Sequence, residues 1–408
     1  MSHFTIPEIL LPKKEYDYSK WATIACDQFT SQPDYWESLK YFVGDAKSTL
    51  NLVLPEVYLD TVDKEVEVKK INKTMDTYLK DNMFDVYNNF IYVERELSKG
   101  VIRRGLMIAV DLEAYDYAPD AKLPIRATER TVKERLPIRI EIRKDAPIEA
   151  PHICIFMDDR EDKILSSLSR AKSKMEKLYD FDLSMNGGHV SGYLVNDSKK
   201  VEKQINDLLD PELLYEKYRT KDELLFVVGD GNHSLATAKE CWNLVKKNLT
   251  EEEIKTHPAR YALCELQNIH DEAIVFEPIH RFIGGANEDF IEYMQSQLFG
   301  DGFVKIVFRG TERTLTVDED PTIAIANIQS AIDVYMKKHP EVYIDYIHGD
   351  DYLLDVAREK EGIALFMPKI EKNTLFHYVV KHGVLPRKSF SMGHAESKRY
   401  YLECRKVK

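Results

Sequence analysis

The polar residues most capable of joint chemistry stand in one short segment, Gly229–Ser234. Asp230, Asn232, His233 and Ser234 follow one another there with only Gly231 between them. A carboxylate and an imidazole can take up a proton or hold a cation, and a hydroxyl can donate to an anion. We therefore predict a functional centre in this segment, with Asp230 and His233 as the catalytic candidates.

The residues around this segment predict the elements that position it. Leu224–Val228 is a continuous apolar run, which is typical of a buried strand, and Gly229 and Gly231 mark a turn. Apolar residues at helical spacing follow, from Leu235 to Val245. A strand, a glycine-rich turn and a helix leave N–H groups unpaired at the helix N-terminus, where the dipole favours an anion. An ordinary turn capped by Asp or Ser fits the same residues.

Basic residues are concentrated in two segments of an otherwise acidic chain. The net charge of −12 argues against a nucleic-acid partner. Arg126–Lys144 holds seven basic residues against three acidic ones, and Lys381–Lys408 holds eight against two. If the two segments converge they would make a focused anion site, and if they lie apart they are solvated faces. The sequence leaves both interpretations open.

Histidines and arginines also stand near the ends of other predicted elements. The arginines that could reach an anion are Arg126, Arg130, Arg260 and Arg281. The histidines are His189, beside a glycine pair, His233, His270 and His280. No pair has the i, i+4 spacing of a helical metal site, so we predict no protein metal site. A divalent cation would arrive with a bound nucleotide, as Mg²⁺ commonly does.

Apolar periodicity predicts a mixture of helices and strands along the whole chain. Leu136–Arg143 alternates with period two and predicts a strand, and so does Arg399–Val407 in the tail. Helices are expected at Val62–Phe84 and Glu161–Tyr179, and a hairpin turn at Gly187–Gly188. Trp21–Trp36 is rich in aromatic residues, and it is either a packed loop or a substrate-facing loop that presents Asp27 and Gln28. The fold class is therefore α+β (mixed α/β), with mixed sheets flanked by helices.

Length and composition bound the organisation of the chain. Its 408 residues predict an N-terminal α/β region at 1–125, a central region at 126–285 and a C-terminal region with a basic tail at 286–408. No apolar run is long enough to span a membrane, and the first twenty residues have no signal-peptide pattern. The five cysteines are scattered and form no CxxC pair, so we expect a cytoplasmic protein.

Several of these segments resemble a bacterial and archaeal family catalogued as domain of unknown function 1015. The matching segments run in order along nearly the whole chain: Trp21–Trp36, Arg126–Asp159, Val228–Ala238, His257–Glu265, Phe276–Arg281, Tyr343–Gly349 and Leu385–Glu403. The family name carries no reaction.

The turn also resembles, more distantly, the phosphate-binding turn of the ParB/sulfiredoxin-like superfamily, which includes an ADP-dependent free-serine kinase. Many members of the family carry Asp-Gly-His-His-Arg there. In this chain Asn232 stands in place of the first histidine and Ser234 in place of the arginine. The missing arginine removes a bidentate phosphate donor, which Arg126, Arg130, Arg260 or Arg281 would have to replace.

The resemblance implies that a nucleotide or other phosphorylated small molecule binds at Gly229–Ser234, with small-molecule phosphoryl transfer as the candidate reaction. Asp230 or His233 would then be the base, or Asp230 would hold the metal of a nucleotide–Mg²⁺ complex. Two alternatives stay open: a hydrolase that uses His189, His233 and His280, and a non-enzymatic nucleotide-sensing or DNA-associated module. The sequence identifies neither the substrate nor the oligomeric state.

Overall fold

The computed structural model describes residues 2–30, 32–131, 136–393 and 395–408. Their contacts form two compact units. The first comprises Met1–Ile274, Val379–Gly383 and His394–Lys408, and the second comprises Val275–Tyr378 and Val384–Gly393. The division of the chain near residues 125 and 285 stays a prediction.

Both units contain helices and strands. From the N-terminus to residue 274 the elements are β1 (Phe4–Thr5), β2 (Glu8–Pro12), α1 (Tyr18–Trp21), α2 (Pro33–Val43), α3 (Lys64–Lys80), β3 (Phe84–Asn88), β4 (Ile91–Ser98), β5 (Val101–Asp111), β6 (Tyr115–Asp116), β7 (Ile125–Arg126), α4 (Leu136–Lys144), β8 (Ile148–Glu149), β9 (Cys154–Met157), α5 (Lys163–Ala171), β10 (Glu176–Asp182), β11 (His189–Leu194), α6 (Ser198–Asn206), α7 (Pro211–Tyr218), β12 (Phe226–Asp230), α8 (Asn232–Val245), α9 (Glu251–Thr256) and β13 (Tyr261–Asn268). They are followed by β14 (Phe276–Gly284), α10 (Glu288–Gln297), β15 (Gly302–Phe308), β16 (Thr311–Val317), α11 (Pro321–Lys338), β17 (Tyr343–His348), α12 (Asp350–Glu359), β18 (Ile363–Leu365), α13 (Leu375–His382), β19 (Phe390–Met392) and β20 (Arg405–Lys406).

A large mixed sheet forms the centre of the first unit. Its strand order is β10-β11-β4-β5-β13-β9-β12-β7-β6, and β1 pairs with β5. Strand β5 shows how the sheet divides the core, because alternate side chains of a strand point to opposite faces. Leu106, Ile108 and Val110 face one core with Trp242 of α8, whereas Met107 faces a second core with residues of α3.

The strand directions determine which residues lie around the end of β12. Strand β9 runs antiparallel to β12, with Cys154 opposite Asp230, and parallel to β13, with Cys154 opposite Glu265. The residues that precede β9 therefore lie beside the turn that follows β12. The pairing of β12 with β9 shifts register between Val228 and Asp230, so Gly229 lies at the irregularity.

The C-terminal tail returns to the N-terminal segment of the same unit. The N–H group of Ala25 donates to the carbonyl of Lys398 at 2.9 Å, and the N–H group of Tyr400 donates to the carbonyl of Thr23 at 3.0 Å. Cys404 exchanges two backbone hydrogen bonds with Leu10, each of 2.8 Å. Strand β20 then pairs with β8.

The second unit has its own sheet, in the order β16-β15-β18-β14-β17, with β19 on β14. Phe282 of β14 and Ala364 of β18 pack with Leu353 and Val356 of α12 in a buried cluster.

The structure confirms the mixed α/β class, the strand–turn–helix element and the hairpin that turns at Gly187–Gly188. The predicted strand Leu136–Arg143 is wrong, because these residues form α4. Helix α4 packs against the helices α8 and α3. This tertiary packing overrides the period-two pattern of the sequence, and the backbone hydrogen bonds are made within the helix.

Two further expectations about single elements are also wrong in extent. The helix expected over Glu161–Tyr179 ends at Ala171, and Glu176–Asp182 instead forms β10 against β11. Within the strand expected over Arg399–Val407, Arg405–Lys406 forms β20, preceded by an isolated bridge between Arg399 and Ile24.

Candidate functional site

The turn between β12 and α8 depends on glycine at position 231. Gly231 has a φ of +82° and is the N-cap residue of α8. A Cβ atom there would lie 3.1 Å from both Cα and Cγ1 of Ile153. Left-handed backbone and this close approach both favour glycine. As in any α-helix, the N–H groups of the first turn of α8 point out of the N-terminal end and have no acceptor within the helix.

The carboxylate of Asp230 joins the turn to the C-terminal tail. Its Oδ1 accepts the N–H group of Gly231 at 2.8 Å, and its Oδ2 lies 3.2 Å from Nζ of Lys398. Burial alone would lower the pKa of Lys398, but the charges of Asp230 and Asp27 outweigh it and raise that pKa. A charged ammonium group therefore lies at the N-terminal end of α8.

Asn232 fastens the turn to the neighbouring loop. Its buried Oδ1 accepts the N–H group of Thr128 at 3.1 Å, and its Nδ2 lies 3.3 Å from the Thr128 hydroxyl. That hydroxyl donates to the carbonyl of Val228 at 2.5 Å. The amide of Asn232 thus holds the end of β12 and the loop after β7 in one arrangement.

His152, two residues before β9, reaches the first turn of α8. Its Nε2 lies 3.1 Å from Oγ of Ser234. The ring of Tyr400 meets the imidazole edge-on, with 5.1 Å between the ring centroids. Burial lowers the pKa of His152, and it outweighs the opposing charges of Asp27 and Asp230. The neutral imidazole is therefore the favoured form at pH 7.

Asp27, in the aromatic N-terminal segment, faces the same place. Burial by itself would raise its pKa, but His152 in its protonated form, a hydrogen bond from Gln28 and the charges of Arg139 and Lys398 lower it to about 2. The amide of Gln28 donates to Oδ1 of Asp27 at 2.9 Å. The segment thus places Asp27 close enough to His152 and Lys398 for their charges to interact, and whether it faces a substrate stays a prediction.

Both basic segments of the sequence contribute a cation to this cluster. Arg139 belongs to the first and forms an ion pair with Glu56, and Lys398 belongs to the second. We call Asp27, Arg139, His152, Asp230, Ser234 and Lys398 the turn cluster. Among the described residues, no group of three His, Cys, Asp or Glu side chains is arranged to hold a metal ion.

Two of the arginines predicted to replace the missing phosphate donor bond to groups outside the turn. Arg126 is buried and donates to the carbonyls of Leu123, Lys122 and Glu223 at 2.8, 3.2 and 3.0 Å. Arg260 donates to both carboxylate oxygens of Asp111, at 2.9 and 2.6 Å.

Arg130 is exposed, and Arg281 belongs to the second unit, where Nε donates to Oε1 of Gln329 at 3.0 Å. Ligand binding by these arginines stays a prediction.

The three histidines of the hydrolase alternative belong to three different elements. His233 is half-buried in the first turn of α8, and its carbonyl accepts the hydroxyl of Thr237 at 2.7 Å. His189 bonds to Asp180 and Asp182 of its own hairpin, at 2.6 and 2.7 Å. His280, in the second unit, accepts the N–H group of Met367 at 3.0 Å and bonds to Asp350.

Sequence reasoning missed His152, Arg139 and Lys398 as site residues. Signals for all three were present, since His152 directly precedes an apolar strand and the other two belong to the basic segments. Nothing in the local pattern showed which members of those segments would reach the turn.

A buried charged network lies next to the turn cluster. Glu265 has no exposed surface, and its Oε2 accepts from Nη2 of Arg103 at 3.3 Å and from the hydroxyl of Tyr401. The thiol of Cys154 lies 3.5 Å from the same oxygen. Cys154 is the strand partner of Asp230, so this network packs beneath the end of β12 where the turn begins.

Solved structures similar to this chain have low identity to it. A conserved hypothetical protein from Pyrococcus furiosus is 11% identical, with a TM-score of 0.36 over 70% of this chain and 90% of that chain. A free serine kinase in complex with AMP is 9% identical, with a TM-score of 0.39 over 74% of this chain and 92% of that chain. SbnI from Staphylococcus aureus is 11% identical, with a TM-score of 0.35 over 74% and 87%.

At these scores the structural similarities carry no argument about function. A comparison with curated proteins found no match. Within the described residues, no helix is both long enough and apolar enough to cross a membrane. The sequence profile described as protein of unknown function (DUF1015) matches residues 10–406, so this chain belongs to the DUF1015 family.

Proposed function

We propose that this protein binds a nucleotide or another phosphorylated small molecule at the turn cluster and transfers its phosphoryl group to a small acceptor. The observation that carries the proposal is the position of Lys398, whose ammonium lies 3.2 Å from Asp230 beside the first turn of α8. Ser234 stands where the related motif has an arginine. Lys398 supplies a positive charge from the tail in its place.

The expected binding mode follows from the groups at the helix end. The N–H groups of the first turn hold phosphate oxygens, and the helix dipole adds to their attraction. Lys398 moves from Asp230 to a phosphate oxygen and neutralises charge that develops during transfer. Asp230 is then free to act, with His233 beside it, in proton transfer. A Mg²⁺ ion carried by the nucleotide could be bound here by the separate carboxylates of Asp230 and Asp27.

The proposal is tested by thermal unfolding with ATP, ADP, CTP and pyrophosphate, each with and without MgCl₂. A ligand at about one hundred times its Kd stabilises the protein by about 2.7 kcal/mol. Lys398→Gln removes a charged hydrogen bond worth about 1.5–3 kcal/mol, so the Kd should rise at least tenfold. At the same ligand concentration the stabilisation should then fall to about 1.4 kcal/mol or less.

Lys406→Gln is the matched control, because Lys406 is an exposed lysine of the same basic segment. Its ligand-induced stabilisation should equal that of the wild type. If none of these ligands raises the Tm, the proposed function is wrong. If Gly231→Val leaves the ligand-induced shift unchanged, the ligand binds at another place.

Of the two alternatives, the DNA-associated module is tested in the same preparation. His189 bonds to Asp180 and Asp182, and His280 bonds to Asp350, so we do not extend the proposal to a histidine-based hydrolase. The net charge of −12 argues against DNA. A DNA mobility shift that weakens steeply with salt would favour the DNA-associated alternative instead.

A further inference from the structure

Ser234 and His152 form a pair that the proposed binding mode does not use, and the charge of Asp27 acts on His152. The hydroxyl of Ser234 is 3.1 Å from Nε2 of His152, which is hydrogen-bonding distance. Tyr400 contacts the imidazole edge-on and limits its rotation. A nucleophile within reach of a base that a third group supports is the arrangement of covalent catalysis.

The charges around His152 suit a base that gains a proton only during reaction. Burial keeps the imidazole neutral, and a neutral Nε2 can accept a proton from Ser234. The negative charges of Asp27, Asp230 and Glu56 favour the imidazolium that would form, whereas Arg139 opposes it. The ring thus interacts electrostatically with three carboxylates and one guanidinium.

Ser234 also lies where a phosphoryl group would be held. It is the third residue of α8, within the first turn whose N–H groups point out of the helix end. The same turn is next to Asp230 and therefore to the ammonium of Lys398. A phosphoryl group bound there would have its phosphorus beside the hydroxyl of Ser234 and its oxygens on backbone donors.

We propose that Ser234 is a nucleophile that takes the terminal phosphoryl group of a nucleoside polyphosphate and forms a phosphoserine intermediate, with His152 as its base. This inference rests on the proposed function. In the first step the Oγ–P bond forms, the bridging P–O bond of the donor breaks, and the electron pair leaves with the shortened nucleotide. The proton of Ser234 passes to Nε2 of His152.

The second step regenerates the serine. The hydroxyl of the acceptor attacks the phosphorus, the Oγ–P bond breaks, and His152 returns its proton to Oγ. The proton of the acceptor hydroxyl is released to solvent. The sum is one donor and one alcohol converted to the shortened nucleotide, a phosphate monoester and one proton.

The test is acid-quenched labelling with ATP and with ADP, each carrying radiolabel in its terminal phosphate, in the presence of MgCl₂ and without an acceptor. We expect at most one label per chain, located on Ser234 by peptide mass spectrometry. Ser234→Ala should abolish it, and Ser234→Thr, which keeps a hydroxyl, should be labelled more slowly. His152→Asn should slow labelling about a hundredfold, the usual scale of a lost general base.

Ser296→Ala is the matched control, because Ser296 is a serine of the other unit whose hydroxyl bonds within its own helix, to the carbonyl of Tyr293 and the amide of Gln297. Its labelling should equal that of the wild type. If the nucleotides raise the Tm of wild type and Ser234→Ala but no label forms on Ser234, this inference is wrong and the proposed binding stands. Label that persists in Ser234→Ala also overturns it. If no nucleotide raises the Tm and no label forms, both proposals are wrong.

Discussion

Substituting Gly231 by alanine tests whether the turn is held as tightly as the structure indicates. Gly100, in the hairpin between β4 and β5, is a matched control. It has a φ of +81° against +82° at Gly231, but a Cβ atom at Gly100 would contact nothing within 4 Å. Gly100→Ala therefore measures the cost of left-handed backbone alone, about 1–2 kcal/mol.

Gly231→Ala carries the same backbone cost and a second one. Its Cβ would lie 3.1 Å from Cα and Cγ1 of Ile153, so the start of β9 must move by a few tenths of an ångström. Overpacking of this kind costs about 1–3 kcal/mol. We expect Gly231→Ala to lose about 2–5 kcal/mol in total, which is about 1–3 kcal/mol more than Gly100→Ala.

The assay is urea unfolding followed by tryptophan fluorescence. All three tryptophans of the chain, Trp21, Trp36 and Trp242, are buried in the first unit, so their emission reports on the unit that contains both glycines. Equal losses in the two variants at equal denaturant slope would refute the close approach of the turn to Ile153.

The same pair of variants separates stability from binding. Since Gly231 is the N-cap residue of α8, a displacement of the turn against Ile153 should also move the first-turn N–H groups that hold phosphate in the proposed binding mode. The nucleotide-induced stabilisation should fall in Gly231→Ala and stay at the wild-type value in Gly100→Ala. A loss of binding in both variants would show that general destabilisation, and not the turn, is responsible.

Three further substitutions test the surroundings of the turn by urea unfolding. Asp27→Asn should lose about 2 kcal/mol at pH 7, because the pKa of Asp27 falls from 3.8 to about 2 on folding; this stability is present above about pH 4 and lost towards pH 2, where the variant should match the wild type. Glu403→Gln should have the same free energy of unfolding as the wild type at pH 4 and a larger one at pH 8. Burial raises the pKa of Glu403 from 4.5 to about 7, so the wild type loses stability as the pH rises through that value. An equal difference between the two proteins at both pH values would contradict this reasoning. Asn232→Ala should lose about 1–3 kcal/mol, because the N–H group of Thr128 loses its acceptor, and an unchanged free energy of unfolding would show that this bond contributes nothing.

Local patterns predicted the elements whose surroundings matched their periodicity. The strand–turn–helix element was predictable because β12 is buried on both faces and α8 buries one stripe, from Leu235 to Trp242. Leu136–Arg143 was not, because its half-buried isoleucines alternate as in a strand while its neighbours are helices. Periodicity reports which side chains are buried, and it assigns the wrong element when partial burial happens to alternate.

The candidate site was predictable only in its central segment. Asp230, Asn232 and Ser234 are consecutive or nearly so, and the chain itself holds them together. Arg126 and Arg260 were chosen for their charge, but their guanidinium groups bond to nearby carbonyls and to Asp111. Charge in the sequence does not reveal which guanidinium groups are already engaged.

The sequence by itself determined a glycine-dependent turn between an apolar strand and a helix, with a hydroxyl in place of the arginine of the related motif. These features depend on adjacent residues and on backbone sterics. Only the tertiary structure decided that Lys398 supplies a cation there and that His152, on which the charge of Asp27 acts, meets Ser234. The antiparallel register of β9 on β12 and the return of the tail to Thr23–Ala25 bring them together, and no local periodicity encodes either contact.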